Sequence, residues 1–363
     1  MRQQPRSGKL NRQNVAGWLM AGPALALIGF FLVAPFVLGF GLSFTNQRLT
    51  SPNPTEFVGL DNFSKLLGVG ILRLEPERTA EGEIRRDPDG APRFPTVRSF
   101  TRNNPDYPQY RGMREVLGFG WGDARYVALA RDPVFLKALA NTFLFVLVVT
   151  PMQASLALAL ALLVNQRRPG ISIFRAIYFM PVVLSVVVVA LLWRFIYAPD
   201  NGLLNSLLGY LSFGLLRPVD WLGRTDTALW AILVMSVWQG VGFHMVIWLS
   251  GLQTIPPTLY EAADIEGANA RQKFSMITWP MLRNTAVLVF VVITMQGFAL
   301  FAQIDVMTRG GPLDSTQTLV FQAVERGYRQ QDIAAGSAIS VVLFLIVLCI
   351  TLTQRYMTRE RSP

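Results

Sequence analysis

Six apolar stretches, at residues 15–44, 134–164, 171–196, 228–252, 285–301 and 335–352, set the pattern of the chain, with more polar segments between them. They lie near the roughly 20 residues that an α-helix needs to cross a bilayer. The first two are longer than a crossing needs, so tilt or partial interfacial burial is expected. Pro23, Pro35, Pro151 and Pro181 fall inside these stretches. Proline is costly in the interior of a soluble helix, whereas membrane helices tolerate it as a kink. The first stretch is too long for a secretory signal and no small-x-small site closes it, so it reads as an uncleaved span. The pattern predicts an all-α polytopic membrane protein with six transmembrane helices.

Charge orients the spans. Arg2, Arg6, Lys9 and Arg12 precede the first; Arg167, Arg168 and Arg175 join the second to the third. Arg271, Lys273 and Arg283 join the fourth to the fifth, and Arg355, Arg359 and Arg361 follow the sixth. Basic residues gather on the cytoplasmic side, so these segments and both termini are expected inside. The opposite loops mix charges: Asp200, Arg217, Asp220, Arg224 and Asp226 in one, Arg309, Asp314, Glu325, Arg326, Arg329 and Asp332 in the other. The chain then divides into a cytoplasmic tail (1–14), a first span (15–45), an external insertion (46–133), a five-span core (134–356) with a cytoplasmic loop at 253–283, and a second tail (357–363).

The insertion is rich in arginine yet placed outside, because long loops are largely exempt from the charge rule. It interleaves Glu75, Glu77, Glu81, Glu83, Asp87 and Asp89, and its middle, 75–108, is poor in aliphatic residues and rich in Pro, Gly and Arg. That composition predicts a solvated, partly irregular segment and leaves open whether it folds. Asp87-Pro88-Asp89-Gly90 reads as a plain turn, since the further ligands of a calcium loop are missing.

Composition narrows the classes. Of 363 residues, 52% are hydrophobic and 15% charged, where a soluble domain carries about a quarter charged. One cysteine, Cys349, and one histidine, His244, exclude an internal disulfide and a His/Cys zinc site. The formal charge of +10 is nearly all arginine. Cytoplasmic loops account for it without nucleic acid.

The loop after the fourth span is unusual. Pro257 suits a first helical turn, and Leu259, Ala262, Ala263 and Glu266 follow at helical spacing. Gly267 can break the helix, and Phe274 and Ile277 mark a second short helix leading to Pro280 and span five. The residues alone leave two readings even: an interfacial hairpin that merely connects spans, or a docking element for a soluble partner.

The same stretch resembles the Glu-Ala-Ala loop of binding-protein-dependent ATP-binding-cassette permeases. That pattern is Glu-Ala-Ala, three residues, Gly, nine residues, Ile, one residue, Leu-Pro. Glu261-Ala262-Ala263, Gly267, Ile277 and Pro280 stand at the matching spacings, with Trp279 in place of Leu. The segments from Gly22-Pro23 to Ser43-Phe44-Thr45, Gly59-Leu60-Asp61-Asn62-Phe63, and Thr308-Arg309-Gly310-Gly311-Pro312 with Ser315–Leu319 are similar to the carbohydrate-uptake, maltose-type permeases. The region 65–131 has no such counterpart.

The resemblance implies a glycine-hinged coupling helix seated in a groove of a cytoplasmic ATPase dimer. Glu261 would meet basic groups, Ala262 and Ala263 would allow close approach, and Gly267 would allow the turn. It also implies a second permease subunit, commonly a different chain, an external solute-binding protein, a sugar-like solute, and a multi-pass location in the bacterial cytoplasmic membrane. This chain carries no phosphate loop, because Gly8-Lys9 is followed by Leu10 and lacks the upstream glycine. No cofactor is expected on it; ATP and magnesium belong to the ATPase.

Polar residues within spans usually face the bundle interior or a water path. Asn141, Gln153, Gln239, His244, Gln296 and Gln303 are candidates for a substrate path, and Trp238 and Trp248 for stacking on sugar. The plainer alternative is helix bridging and an interfacial aromatic belt. An ion-driven carrier would need buried carboxylates or discontinuous helices at the midplane, a membrane enzyme would need clustered acids at one face, and a non-transporting scaffold would leave the coupling motif unexplained.

Overall fold

A computed structural model describes all residues except 1–6, 80–82, 103, 123, 167–168 and 359–363. Arg2, Arg6, Glu81, Arg167, Arg168, Arg359 and Arg361 of the charge pattern lie outside the described residues. In chain order the main helices are α1 (Gly17–Leu42), α2 (Asp61–Leu67), α3 (Pro133–Val164), α4 (Ile171–Val183), α5 (Val186–Ile196), α6 (Leu203–Leu211), α7 (Ala228–Gln253), α8 (Pro257–Ile265), α9 (Ala270–Met281), α10 (Arg283–Phe298), α11 (Ala302–Met307), α12 (Leu319–Val324) and α13 (Ile333–Thr358).

Among the described residues, four helices, α1, α3, α7 and α13, are long and apolar enough to cross a membrane, or six crossings result if each of two bent pairs is one span. The bends are 98° between α4 and α5 and 68° between α9 and α10. Prolines account for much of this geometry. Pro280 supplies no N–H and its ring presses on the carbonyl four residues back, which opens the ladder. The Trp279 N–H instead reaches five residues back to the Phe274 carbonyl, giving a π-helical turn at Phe274–Thr278, and the chain bends at Leu282. The same device precedes Pro35, where a π turn at Gly29–Val33 closes from Ala34 N–H to the Gly29 carbonyl. Near Pro181, Leu184 and Ser185 adopt extended backbone and separate α4 from α5.

The core forms where α3 lies along α7 and both pack on α4 and α10. Ala154, Ala157 and Ala161 give α3 a fully or almost fully buried small-residue stripe against the α7 side chains Ile232, Met235, Met245 and Trp248. Small residues let backbones approach closely in such bundles. Gly242 is the extreme case, since a Cβ there would lie 2.0 Å from the Tyr178 carbonyl oxygen of α4.

One expectation needs correcting: the chain is mostly helical but not all-α. The segment between α1 and α3 folds around a three-stranded antiparallel sheet of β1 (Val69–Leu74), β2 (Arg114–Trp121) and β3 (Ala124–Ala130), in the order β1-β3-β2. Leu72, Leu74, Val127 and Leu129 alternate onto one face, where Met113, Phe94, Val97, Phe100 and Tyr110 cover them. That apolar face is what lets a polar insertion fold. Asp87–Gly90 is a turn closed by the Gly90 N–H on the Asp87 carbonyl at 2.8 Å. A second small core joins Leu66 of α2 to Phe135 and Ala138 of α3, Leu319 of α12 and Ile339 of α13, and so anchors the insertion to the helices. Asp132 completes the anchor. Its Oδ1 caps α3 by accepting from the Phe135 N–H at 3.0 Å, and both its oxygens accept from the Arg326 guanidinium, Nη2 at 2.8 Å.

Candidate functional site

Two features carry the candidate chemistry. The first is the helix-glycine-helix loop. α8 runs from Pro257 to Ile265 and is stopped by Gly267, whose φ of +75° is the left-handed conformation that suits glycine. The Ala268 N–H then donates to the Ala263 carbonyl at 2.9 Å. Asn269 opens α9 with a capping box: its Oδ1 accepts from the Gln272 N–H at 3.0 Å, and Gln272 Oε1 accepts from the Asn269 N–H at 2.8 Å. Across the hinge, Lys273 pairs with Asp264, and the Tyr260 and Thr278 hydroxyls share a hydrogen bond of 2.9 Å.

These ties fix which face is presented. Tyr260 and Ile277 turn onto the main core, Ala263 is half-buried, and Glu261, Ala262, Gly267 and Pro280 are exposed. Ile265 is 88% and Met276 74% exposed, so the hinge shows apolar side chains beside the Glu261 carboxylate. Apolar side chains shown beside a carboxylate suit contact with a partner protein or with the membrane surface.

The second feature is a cavity of about 610 Å³ between α3, α7, α10 and the α4–α5 break. Gln153 from α3, Gln239 from α7, Gln296 from α10 and Gln303 from α11 all line it, together with Ser236, Phe145, Phe243 and Phe301. Both nearby irregular segments open on it: Val182 and Val186 flank the α4–α5 break, and Ala299, Leu300 and Phe301 form the non-helical link from α10 to α11. Backbone groups freed there need partners. The Leu184 carbonyl accepts from Gln239 Nε2 at 3.4 Å, and the Leu300 carbonyl from the Thr318 hydroxyl at 2.9 Å. Non-helical backbone at membrane depth is tolerated where it is buried or lines a cavity.

The other candidates from the sequence lie elsewhere. Asn141 donates to the Ser315 and Gln317 carbonyls, both at 3.0 Å. His244 is fully buried, with Nδ1 2.9 Å from the Gly240 carbonyl in its own helix. Trp248 is buried and its Nε1 donates to the Ala154 carbonyl at 3.1 Å, while Trp238 packs edge-on against Trp193 at 5.6 Å. None of the four lines the cavity. The lining residues Ser236, Phe145, Phe243 and Phe301 give no signal of their own in an apolar run; only their placement beside the glutamines distinguishes them.

The sequence profile of binding-protein-dependent transport system inner membrane components matches residues 127–362, which include the hinged loop and every helix around the cavity. The chain belongs to that family. A probable ABC transporter permease protein of Pyrococcus horikoshii is 35% identical over 250 residues, 69% of this chain and 85% of that one. The arabinooligosaccharides transport system permease protein of Halalkalibacterium halodurans is 30% identical over 272 residues, 73% and 82% of the two chains. Among solved structures, a bacterial alginate ABC transporter in complex with an alginate pentasaccharide-bound periplasmic protein matches with a TM-score of 0.71 over 98% of both chains, at 18% identity. That likeness is one of fold, and its coverage takes in the insertion. The chain is therefore a multi-pass membrane permease subunit of an ABC importer, not an enzyme by itself. In this permease the same helices connect the loop pattern to the cavity: α7 bears Gln239 near its midpoint and leads through residues 254–256 into α8, and α9 runs through its bend into α10, which carries Gln296 near its far end.

Proposed function

We propose that this permease forms one membrane half of an ATP-driven importer for a sugar-like solute, in a bacterial cytoplasmic membrane. In this reading each bent helix pair is one of six spans. Both termini and the hinged loop are cytoplasmic, and the insertion at 46–133 is external and contacts a solute-binding protein. Glu261, Ala262, Ala263, Gly267, Ile277 and Pro280 form the docking element for a separate ATPase dimer, which binds ATP and magnesium. A second permease subunit, a different chain, completes the path.

The observation that carries the reading is the cavity, in which four glutamine amides meet two stretches of unwound backbone. Amides both donate and accept, as sugar hydroxyls do. The named arabinooligosaccharide relative supports the same solute class. Broken helices also serve ion-driven carriers, but no carboxylate among the described residues lines this cavity, and the family match favours the ATP-driven reading.

The test is co-purification in mild detergent from the native membrane, followed by uptake in proteoliposomes. An ATPase and a second permease should copurify, and saccharide uptake should require ATP. Recovery of the chain alone after crosslinking, or uptake driven by an ion gradient without ATP, would overturn the reading.

A further inference from the structure

We propose that a basic pocket at the junction of the insertion and the helices binds the phosphate of an anionic phospholipid, with Arg111 and Arg131 as its ligands and an acyl chain in the adjoining groove between α1 and α13. This goes beyond the importer reading and depends on neither its cargo nor its energy source. The pocket, of about 700 Å³, lies where α1 ends and α3 and α13 begin. Asn46 follows α1, Asp132 caps α3, and Ala334 and Ala335 stand in the first turn of α13, all on the pocket wall. In a chain whose long apolar helices span a bilayer, that is the level of the lipid headgroups.

Five cationic side chains line the pocket. Three are paired: Arg48 with Asp332 at 2.8 Å, Lys65 with Asp61 at 2.6 Å, and Arg326 Nη2 with Asp132 at 2.8 Å. Arg111 and Arg131 pair with no carboxylate among the described residues. The Arg131 guanidinium makes one long contact there, from Nη1 to the Ser64 hydroxyl at 3.4 Å. Its stem lies over Gly68, where a Cβ would come within 2.9 Å of Arg131 Cδ, so the glycine makes room for it. Two uncompensated guanidiniums on one wall attract an oxyanion, and phosphate matches their planar fork. A free phosphate would satisfy these donors as well as a lipid phosphate, and the neighbouring groove favours the lipid. The groove has a volume of about 690 Å³ and carries exposed Phe36 and Phe40 of α1 opposite exposed Phe344 of α13. The start of α13 lines both spaces, Ala334 and Ala335 on the pocket and Ile333 and Gly336 on the groove. Basic pockets beside spanning helices hold acidic headgroups in this way.

The experiment is native mass spectrometry of the full chain, purified in mild detergent with whatever subunits accompany it and then stripped of lipid. Phosphatidylglycerol and phosphatidylcholine of identical acyl chains are titrated in parallel, with inorganic phosphate as competitor. Phosphatidylglycerol should bind on the order of ten-fold tighter, lose that margin at high salt, and survive an excess of phosphate. Combining Arg111→Gln with Arg131→Gln should abolish the margin, whereas Arg73→Gln with Arg114→Gln, elsewhere on the insertion, should leave it unchanged. All four arginines are exposed, so these variants should keep the native melting temperature. Ser340→Trp, which fills the groove from α13, should weaken both lipids alike. Equal binding of the two lipids, or a margin retained without Arg111 and Arg131, would overturn the proposal. Displacement by inorganic phosphate together with a neutral Ser340→Trp would make this a free-anion site and overturn the lipid assignment. If the double arginine variant keeps its lipid margin and instead loses capture of the solute-binding protein, the pocket reads an acidic protein surface and the proposal fails.

Discussion

Replacing Gly267 with valine is expected to uncouple the permease while leaving its insertion intact, and the structure sets the size of the effect. A Cβ at 267 would meet no atom within 4 Å, so the first carbon of a side chain has room inside the chain. The cost comes from the backbone, whose φ of +75° disfavours any Cβ by about 1–2 kcal/mol, with a β-branched residue at the upper end. Holding the hinge are the Asn269 capping box, the Tyr260–Thr278 hydrogen bond and the exposed Lys273–Asp264 pair, together about 2–3 kcal/mol. Valine thus offsets most of what holds the hinge, and about 2 kcal/mol lowers the ratio of hinged to unhinged forms roughly 30-fold. Asparagine tolerates the left-handed region and should stay within about three-fold of the native protein. The assay is ATP-driven uptake by the reconstituted importer, with membrane abundance measured alongside. Native uptake by Gly267→Val would refute the reasoning; so would an asparagine variant as inactive as the valine one, because bulk rather than backbone would then be decisive.

Other perturbations probe the remaining parts. Gly242→Ala forces a Cβ to within 2.0 Å of the Tyr178 carbonyl oxygen, and overpacking of this kind costs about 1–3 kcal/mol, which should appear as a lower melting temperature in detergent. Asp132→Asn keeps a capping oxygen for the Phe135 N–H but strips Arg326 of its ion pair. With side chains only 18% and 16% exposed, that loss should cost about 1–3 kcal/mol and speed proteolysis of the insertion. Excising 78–92 and joining the ends with two glycines should leave the sheet folded, since the Glu77 N–H already donates to the Arg93 carbonyl at 2.8 Å. Its uptake at limiting binding protein should fall; unchanged uptake would free this segment from any role in partner contact. A wider excision of 75–108 is the poorer test, because it removes Phe94, Val97 and Phe100 from the sheet core.

The sequence made the hinged loop legible because its geometry is local. Helical spacing from Pro257, a glycine at the turn and a proline before the next span are all properties of neighbouring residues, and α8 and α9 follow them. The α4–α5 break was not legible, because 171–196 is apolar apart from Ser172, Arg175, Ser185 and Arg194, and Pro181 with one serine four residues on predicts no more than a kink. The chain can unwind at Leu184 because Gln239, 55 residues later, meets the freed carbonyl, and no local pattern carries that information. The sheet was missed for a different reason. The middle of the insertion dominated its composition, yet Gly122-Asp123 separates two strand-like runs, 114–121 and 124–130, with the two-residue spacing of a hairpin. Among the glutamines, the sequence nominated each one by its polarity within a span, but that they converge depends on four different helices and on the close contacts at Gly240 and Gly297.

The junction at Asp132 has a mechanical consequence. β3 ends two residues before the cap of α3, and the cap residue is itself clamped by Arg326, so the sheet and the helix are joined by a short and stiff coupling. α3 is a lever: it runs as one 32-residue helix through Pro151 and carries Phe145, Val149 and Gln153 on the cavity wall. Gln153 sits about 30 Å from the capped end, so a tilt of about 5° delivered through the sheet would sweep its amide by about 2–3 Å. Force applied to the insertion would then register at the cavity as a displacement comparable to the length of a hydrogen bond.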